Sequence, residues 1–322
     1  MQFETGSTRL WRVVCGVPPQ TSSCFVSWRA LAESGIGYGV TNASVLLLIP
    51  AYNEENRIEP VLRDYASFFQ QQYQGKFQLV VVLNGCRDNT LGVVKRVAAD
   101  FPAVGWLEFK DPIGKGGALI EGLKLAPLAD LVGYVDADGA TPPHAFLDLI
   151  KHIDGVDCVI GSRWLPGAVL HQEQSSRRQF ASRVFHFIVQ MLFRMNIRDT
   201  QCGAKVVRRE AVEKIHPLLR TADMAFDINL LYSLKAAGYR ILEVPTEWTD
   251  KIGSKVVLGN TSLSMLLSVI RIRLIYWPAL YRWLTPLRPL ETWLYRKLRA
   301  PEPLPRPESV PSPKSKVQGS QP

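Results

Sequence analysis

Paired cysteines are missing from this sequence. The five present, Cys15, Cys24, Cys86, Cys158 and Cys202, are scattered, with no CxxC spacing and no His-x-x-x-His run beside them. That argues against a zinc site. The odd count argues against a disulfide framework, and a reducing compartment is the simpler setting. No uncharged apolar run reaches the roughly 20 residues that a membrane-spanning helix needs, so no ordinary transmembrane helix is expected. The glycine fingerprint of dinucleotide-binding proteins is absent too. The first apolar strand leads instead into "PAYNEE", which counts against an oxidoreductase built on that fingerprint.

What is present is an ordinary globular composition, 47% apolar and 21% charged over 322 residues, with a net charge of +9. A basic balance points to anionic partners: nucleic acid, phosphorylated substrates or an acidic membrane surface. No recognisable nucleic-acid motif supports the first of these.

From residue 45 the pattern becomes regular. "VLLLI" at 45–49, "LVVVL" at 79–83, "GWLEF" at 105–109 and "LVGYV" at 131–135 read as strands. Between them lie amphipathic helices. Asn53 is expected to cap the first, with Ile58, Val61, Leu62, Tyr65, Phe68 and Phe69 facing inward. Thr90 opens the second, and "GGALIEGLKLA" forms the third. Uninterrupted apolar strands alternating with amphipathic helices predict an α/β fold, a mostly parallel central sheet with helices on both faces. Such sheets bind ligands at the carboxyl ends of their strands. The polar stretches "PAYNEE", "NGCRDNT", "DPIGKGG" and "DADGATPP" fall where that rule puts them.

The second half is more mixed. "DCVIGSRW" reads as a strand and loop, 177–195 as a long helix, "DTQCGAKVV" as a loop entering a strand, and "FDINLLYSLKAAG" as a helix. After residue 256 the composition shifts to leucine and isoleucine interleaved with tryptophan, tyrosine and arginine. Beyond Ala300 it is rich in proline, serine and lysine. The expected organisation is therefore a leader over 1–44, a catalytic domain over 45–257, amphipathic membrane-associating helices over 258–300 and a disordered tail over 301–322. The leader mixes Arg9, Arg12 and Arg29 with Trp11 and Trp28 and lacks a clean apolar h-region, so it receives no function. Arg271 and Arg273 interrupt the later apolar run, so it is expected to lie on a membrane rather than cross it. An amphipathic helix packed on the catalytic domain accounts for the same pattern.

The chemistry concentrates at "DADGAT". Asp136 and Asp138 close a strand in a glycine turn, where two carboxylates can converge into a hard oxygen site suited to Mg2+ or Mn2+. Such a metal can hold a diphosphate as a leaving group. A solvated acidic turn would read the same way. Lys115 and the amides of "GKGG" at a helix N-terminus favour phosphate, and would also serve a tight turn. Arg163 in "GSRW" is either a phosphate ligand or a surface arginine.

In this order and at strand ends, these stretches resemble the inverting family-two glycosyltransferases, whose fold is the GT-A (nucleotide-diphospho-sugar transferase) domain. The resemblance runs over about 45–257. It is carried by "IPAYNEE", "VVLNGCRDNT", "GKGGALIEGL", "YVDADGATPP", "VIGSRW", "DTQCGAKVV", "FDINLLY", "EVPTEW" and "GSKV". Within the family it is most similar to the polyprenyl-phosphate sugar synthases, and to the dolichyl-phosphate glucose group more than the mannose group. The resemblance implies that Asp136 and Asp138 serve the sugar nucleotide and its metal, with Pro50, Ala51, Tyr52, Glu54, Asn84, Asp88, Lys115, Gly116 and Ala137 also on the donor side. Arg163 and Lys205 would be catalytic cations. Arg163, Arg178, Gln201, Lys251 and Lys255 would face the acceptor phosphate. Two residues depart from the family pattern: Asn84 stands where an acidic residue is frequent, and Asn229 where "FD-x-E" is common.

The expected partners are a nucleotide sugar (UDP-glucose, or GDP-mannose), a polyprenyl phosphate and the cytosolic face of a membrane, bound peripherally. A soluble-acceptor glycosyltransferase and a non-catalytic nucleotide-sugar-binding protein are the rival readings.

Overall fold

The structure, a computed structural model, describes residues 42–170, 176–249 and 258–276. The first strand, β1 (Val45–Ala51), explains the architecture. Successive strand side chains point to opposite faces. Leu46 and Leu48 enter one apolar cluster, while Val45, Leu47, Ile49 and Ala51 enter another. Both faces are covered, so the run is apolar throughout rather than alternating. β2 (Phe77–Asn84) repeats this, with Val80 and Val82 on one face and Leu79, Val81 and Leu83 on the other.

On one side the second cluster is closed by α1 (Ile58–Gln72), α2 (Thr90–Asp100) and α4 (Pro143–Lys151). On the other side, α3 (Lys115–Leu123), α5 (Ser176–Phe193), α6 (Arg209–Ile215) and α7 (Phe226–Ala236) close the first. The remaining strands are β3 (Val104–Phe109), β4 (Leu131–Tyr134), β5 (Cys158–Ser162), β7 (Lys205–Arg208) and β8 (Ile241–Pro245). The short strands β6 (Val169–Leu170) and β9 (Glu247–Trp248) pair with each other.

The seven-stranded sheet has the order β3-β2-β1-β4-β7-β5-β8. Every neighbouring pair is parallel except those of β7, which runs antiparallel to β4 and β5. Two consequences place the site. The chain order reverses between β1 and β4, which opens a crevice at their carboxyl ends. β7 also brings its entry, not its exit, to that same end, with Lys205 in register with Tyr134 and Ile160.

Asn53 does not cap α1. It takes a left-handed backbone (φ 55°), and its Oδ1 accepts the Arg87 amide at 2.8 Å. The helix begins at Ile58, after a turn in which the Glu54 carbonyl accepts the Arg57 and Ile58 amides. Thr90 does open α2.

The described part of the basic aromatic end is α8 (Leu258–Ile275) with Tyr276. It packs on the catalytic domain. Val269 and Ile272 join the first apolar cluster, Ser268 Oγ donates to Asp223, and the Tyr276 and Ser233 hydroxyls lie 2.5 Å apart. Residues 277–300, the rest of the expected interfacial segment, lie outside the described residues. Among the described residues no helix is long and apolar enough to cross a membrane.

Candidate active site

Four loops meet at the carboxyl ends of β1, β2, β3 and β4. After β1, Glu54 and Arg57 form a two-pronged ion pair, with Nε and Nη2 each 2.8 Å from a carboxylate oxygen. The Glu54 amide donates to Thr90 Oγ1 (2.8 Å), and the Glu55 amide to Asp88 Oδ2 (3.1 Å). Asp88 also accepts the Thr90 hydroxyl and amide, which hold its carboxyl below the usual range against the opposing pull of burial. The loops after β1 and β2 are thus stitched together. Asn84 is nearly buried, and its Oδ1 accepts the Ile113 amide at 2.6 Å. Asn84 and Asp88 therefore shape loops, whereas the resemblance implies only a place on the donor side. Pro50 and Tyr52 are partly exposed at the rim, and Ala51, Gly116 and Ala137 are buried beneath it.

Lys115, the first residue of α3, reaches Asp136 across the crevice, with Nζ 2.5 Å from Oδ1. Burial alone would lower its pKa, but the Asp136 and Asp227 carboxylates hold it above the ordinary value. Asp138 has the opposite problem. Burial first, and then the Asp136 charge, push its carboxyl above the usual range, although the Ala140 amide donates to its Oδ1 at 3.0 Å. Two like charges crowd one turn, and a dication would relieve exactly the repulsion that raises Asp138. Among the described residues no group of three or more His, Cys, Asp or Glu side chains converges. The protein share of a metal site would therefore be these two carboxylates, which fit Mg2+ or Mn2+ completed by diphosphate and water.

Sequence reasoning missed Gly203. A Cβ placed there would lie 2.3 Å from Asp136 Oδ2. The loop before β7 thus packs its bare backbone against the carboxylate. Gly203→Ala must displace one or the other, and a shift of that size can cost about 100-fold. Donor kcat/KM is expected to fall by about that factor, with the melting temperature changing far less.

Lys205 does not stand at an open phosphate site. It is fully buried, and its Nζ donates to Asp227 Oδ1 at 2.6 Å and to the Cys202 carbonyl at 2.5 Å. Tyr134 Oη donates to the same Asp227 oxygen at 2.5 Å. The reason is the antiparallel β7, whose first residue faces into the protein beside β4. Burial pushes the adjacent Cys202 thiol up to about 11, so it is no nucleophile. Asn229 is likewise structural. Its Oδ1 accepts the Arg220 and Thr221 amides, and its Nδ2 donates to Ser233 Oγ.

Arg163 is brought to the rim by β5 and held there. Its Nε and Nη2 lie 2.7 and 2.9 Å from the Asp199 carboxylate, and its guanidinium sits 5.1 Å from the Trp248 ring centre. Glu243 on β8 accepts the Arg198 and Asp199 amides, each at 2.7 Å, fixing this loop from below. Arg163, His186, Arg198, Thr200 and Gln201 line a hollow between the loop and α5. Arg163 and Gln201 thus line the same hollow. Arg178 lies on α5, with its side chain outside the described residues, and Lys251 and Lys255 lie outside them altogether.

Comparison with known proteins now bears on this geometry. The description "Glycosyl transferase family 2" matches residues 46–216, which carry β1, the Asp136–Asp138 turn, Arg163 and Lys205. The chain belongs to glycosyl transferase family 2.

Among its relatives in the family, dolichyl-phosphate beta-glucosyltransferase of Dictyostelium discoideum is 32% identical over 249 residues, covering 74% of this chain and 76% of the relative. Glycosyltransferase AglD of Haloferax volcanii is 30% identical over 230 residues, covering 70% of this chain but only 36% of AglD. A likeness in fold extends to the crystal structure of glucosyl-3-phosphoglycerate synthase from Mycobacterium tuberculosis with Mn2+, UDP-glucose and phosphoglyceric acid. That likeness has a TM-score of 0.53 at 17% identity and covers 75% of this chain and 86% of that one. The family membership makes this chain a glycosyltransferase with the GT-A type of sheet.

Proposed function

We propose that this glycosyltransferase moves glucose from UDP-glucose to a dolichyl-type polyprenyl phosphate, inverting the anomeric centre to give a β-linked product. The observation that carries the reading is the Asp136–Asp138 turn at the sheet's switch point, with Lys115 on one side and the Arg163 hollow beyond it. The named glucosyltransferase relatives support the sugar and the acceptor.

The acceptor phosphate needs little help from a general base, because its second pKa is about 6 and it is largely ionised at neutral pH. The task is instead to bring two anionic groups together. Lys115 sits on the donor side, and Arg163, backed by Asp199, presents its remaining N–H donors on the acceptor side. Arg178, Gln201, Lys251 and Lys255 are proposed to complete the acceptor side. Attack on the donor's C1 opposite the leaving diphosphate inverts that centre. A divalent ion held by Asp136 and Asp138 would supply charge stabilisation to the departing diphosphate.

A lipid acceptor requires access from a membrane surface. Phe187 and Met191, one turn apart on α5, are 62% and 67% exposed, and Arg271 is exposed on α8. Peripheral attachment to the cytosolic face of a membrane fits these features, with anionic lipid adding about 1 kcal/mol per nearby basic side chain.

The test is nucleoside diphosphate release from a panel of sugar nucleotides, with Mn2+ or Mg2+, with and without polyprenyl phosphate. Release from UDP-glucose that depends on the lipid is expected. Release from GDP-mannose instead would change the donor, and release indifferent to the lipid would overturn the acceptor.

A further inference from the structure

We propose that the buried Lys205–Asp227 ion pair is a positioning device for Asp136, setting that carboxylate from two sides. The inference rests on the reading of Asp136 and Asp138 as the metal-holding pair. It assigns Lys205 and Asp227 a part that neither family membership nor the open-site expectation gave them.

The first route runs through backbone. Lys205 Nζ holds the Cys202 carbonyl, and the next residue is Gly203. The position of a Cβ on Gly203, 2.3 Å from Asp136 Oδ2, shows how closely that backbone abuts the carboxylate. The second route is electrostatic. Asp227 acts on Lys115, whose Nζ lies 2.5 Å from Asp136 Oδ1. Each oxygen of Asp136 is therefore addressed by an element that the ion pair controls. Tyr134 steadies the pair from β4, two residues before Asp136, by donating to Asp227.

Stability alone gives little reason for the pair. Lys205 and Asp227 side chains are 0% and 6% exposed. Burying two charges carries a desolvation cost that their attraction only partly offsets, and uncharged replacements of similar volume are often neutral or stabilising. A device that orients a metal-holding carboxylate has a different measure of worth. Groups that orient the residues holding a metal typically change its affinity about 10–100-fold when removed.

The experiment pairs Lys205→Met with Asp227→Asn in the full chain, keeping the volumes and leaving Tyr134 an acceptor. The readouts are the melting temperature, Mn2+ binding in the presence of UDP followed by electron paramagnetic resonance, and the KM of each substrate. We expect a melting temperature near that of the native chain, Mn2+ affinity weakened about 10–100-fold, donor KM raised and acceptor KM unchanged. A merely structural pair would leave Mn2+ affinity intact once the fold is restored, and that result overturns the inference. Should the double variant not fold, Tyr134→Phe decides. It removes the hydroxyl that steadies Asp227, loosens the pair's hold on Asp136, and is expected to weaken Mn2+ binding at an unchanged acceptor KM, whereas native affinity overturns the inference. Asp138→Asn is measured alongside. If it binds Mn2+ as the native chain does, the metal reading falls and takes this inference with it. If it loses Mn2+ while the Lys205, Asp227 and Tyr134 variants keep it, only this inference falls.

Discussion

Asp138→Asn is expected to lose about 100- to 1,000-fold in kcat while melting no lower than the native chain at neutral pH. The two halves of this result have one cause. Burial and the neighbouring Asp136 raise the Asp138 pKa, so the folded state disfavours its charge. An acid with a raised pKa in the folded state penalises stability above that pKa, and the penalty is relieved as pH falls towards the unfolded value. Asparagine removes the charge and with it the penalty. The substitution therefore relieves the fold and disables the chemistry, the combination expected where a site is kept at the expense of stability. Steady-state turnover and thermal melts between pH 4 and 8 would check it. Full turnover would remove Asp138 from the site, and a large drop in melting temperature at neutral pH would contradict the assigned cause.

Arg163→Met should cost about 3–5 kcal/mol of stability at neutral pH, because it strands Asp199, 3% exposed, without its partner. At about 2–4 °C per kcal/mol for a domain of this size, the melting temperature falls by roughly 10 °C. The pH dependence identifies the cause. Burial pushes the native Asp199 carboxyl up, but Arg163 overcomes this and holds it below the usual range. Its contribution is therefore present above the unfolded carboxylate value of about 4 and is lost as pH falls below it. In the variant, burial is opposed only by the residue-163 backbone amide and the Lys205 charge, so the Asp199 pKa stands higher than in the native chain and acid relieves the variant. The stability gap between the two proteins should narrow steadily from pH 7 towards pH 4. A gap that stays constant would mean lost packing on Trp248, 5.1 Å from the guanidinium, rather than a stranded charge. Acceptor KM should rise in the same variant.

The sequence showed the parallel half of the sheet plainly, since β1, β2, β3 and β4 are apolar runs whose exits carry the polar motifs. It did not show that β7 runs backwards. Strand direction is set by pairing with distant partners, and "KVVR" reads the same either way. For that reason Lys205 looked like an open cation and is instead a buried one. Asn53 misled for a local reason. It is a good capping residue by type, but its side chain bonds the Arg87 amide 34 residues away. Glu243 gave no local signal at all, because its part depends on β8 lying beneath the Arg198–Asp199 amides. Gly203 was readable only as a turn glycine, and the feature that matters, its contact with Asp136, joins loops that are far apart in the chain.

The reversed β7 has a last consequence, for how this enzyme can diverge. The chain leaves the sheet at the tip of β5 and re-enters at the start of β7, its immediate neighbour. Everything between Ser162 and Lys205, α5 included, is therefore an excursion with adjacent ends on a rigid frame. Val189 and Phe193 of α5 anchor it in the first apolar cluster, and the loops of the excursion can change length at little cost, about 0.6 kcal/mol for each doubling of a flexible loop. The donor machinery lies almost wholly outside it. Residues 163–201, short of Gly203 and its contact with Asp136, thus form a cassette through which one nucleotide-sugar frame can be fitted to acceptors of different size without rebuilding the strands beneath.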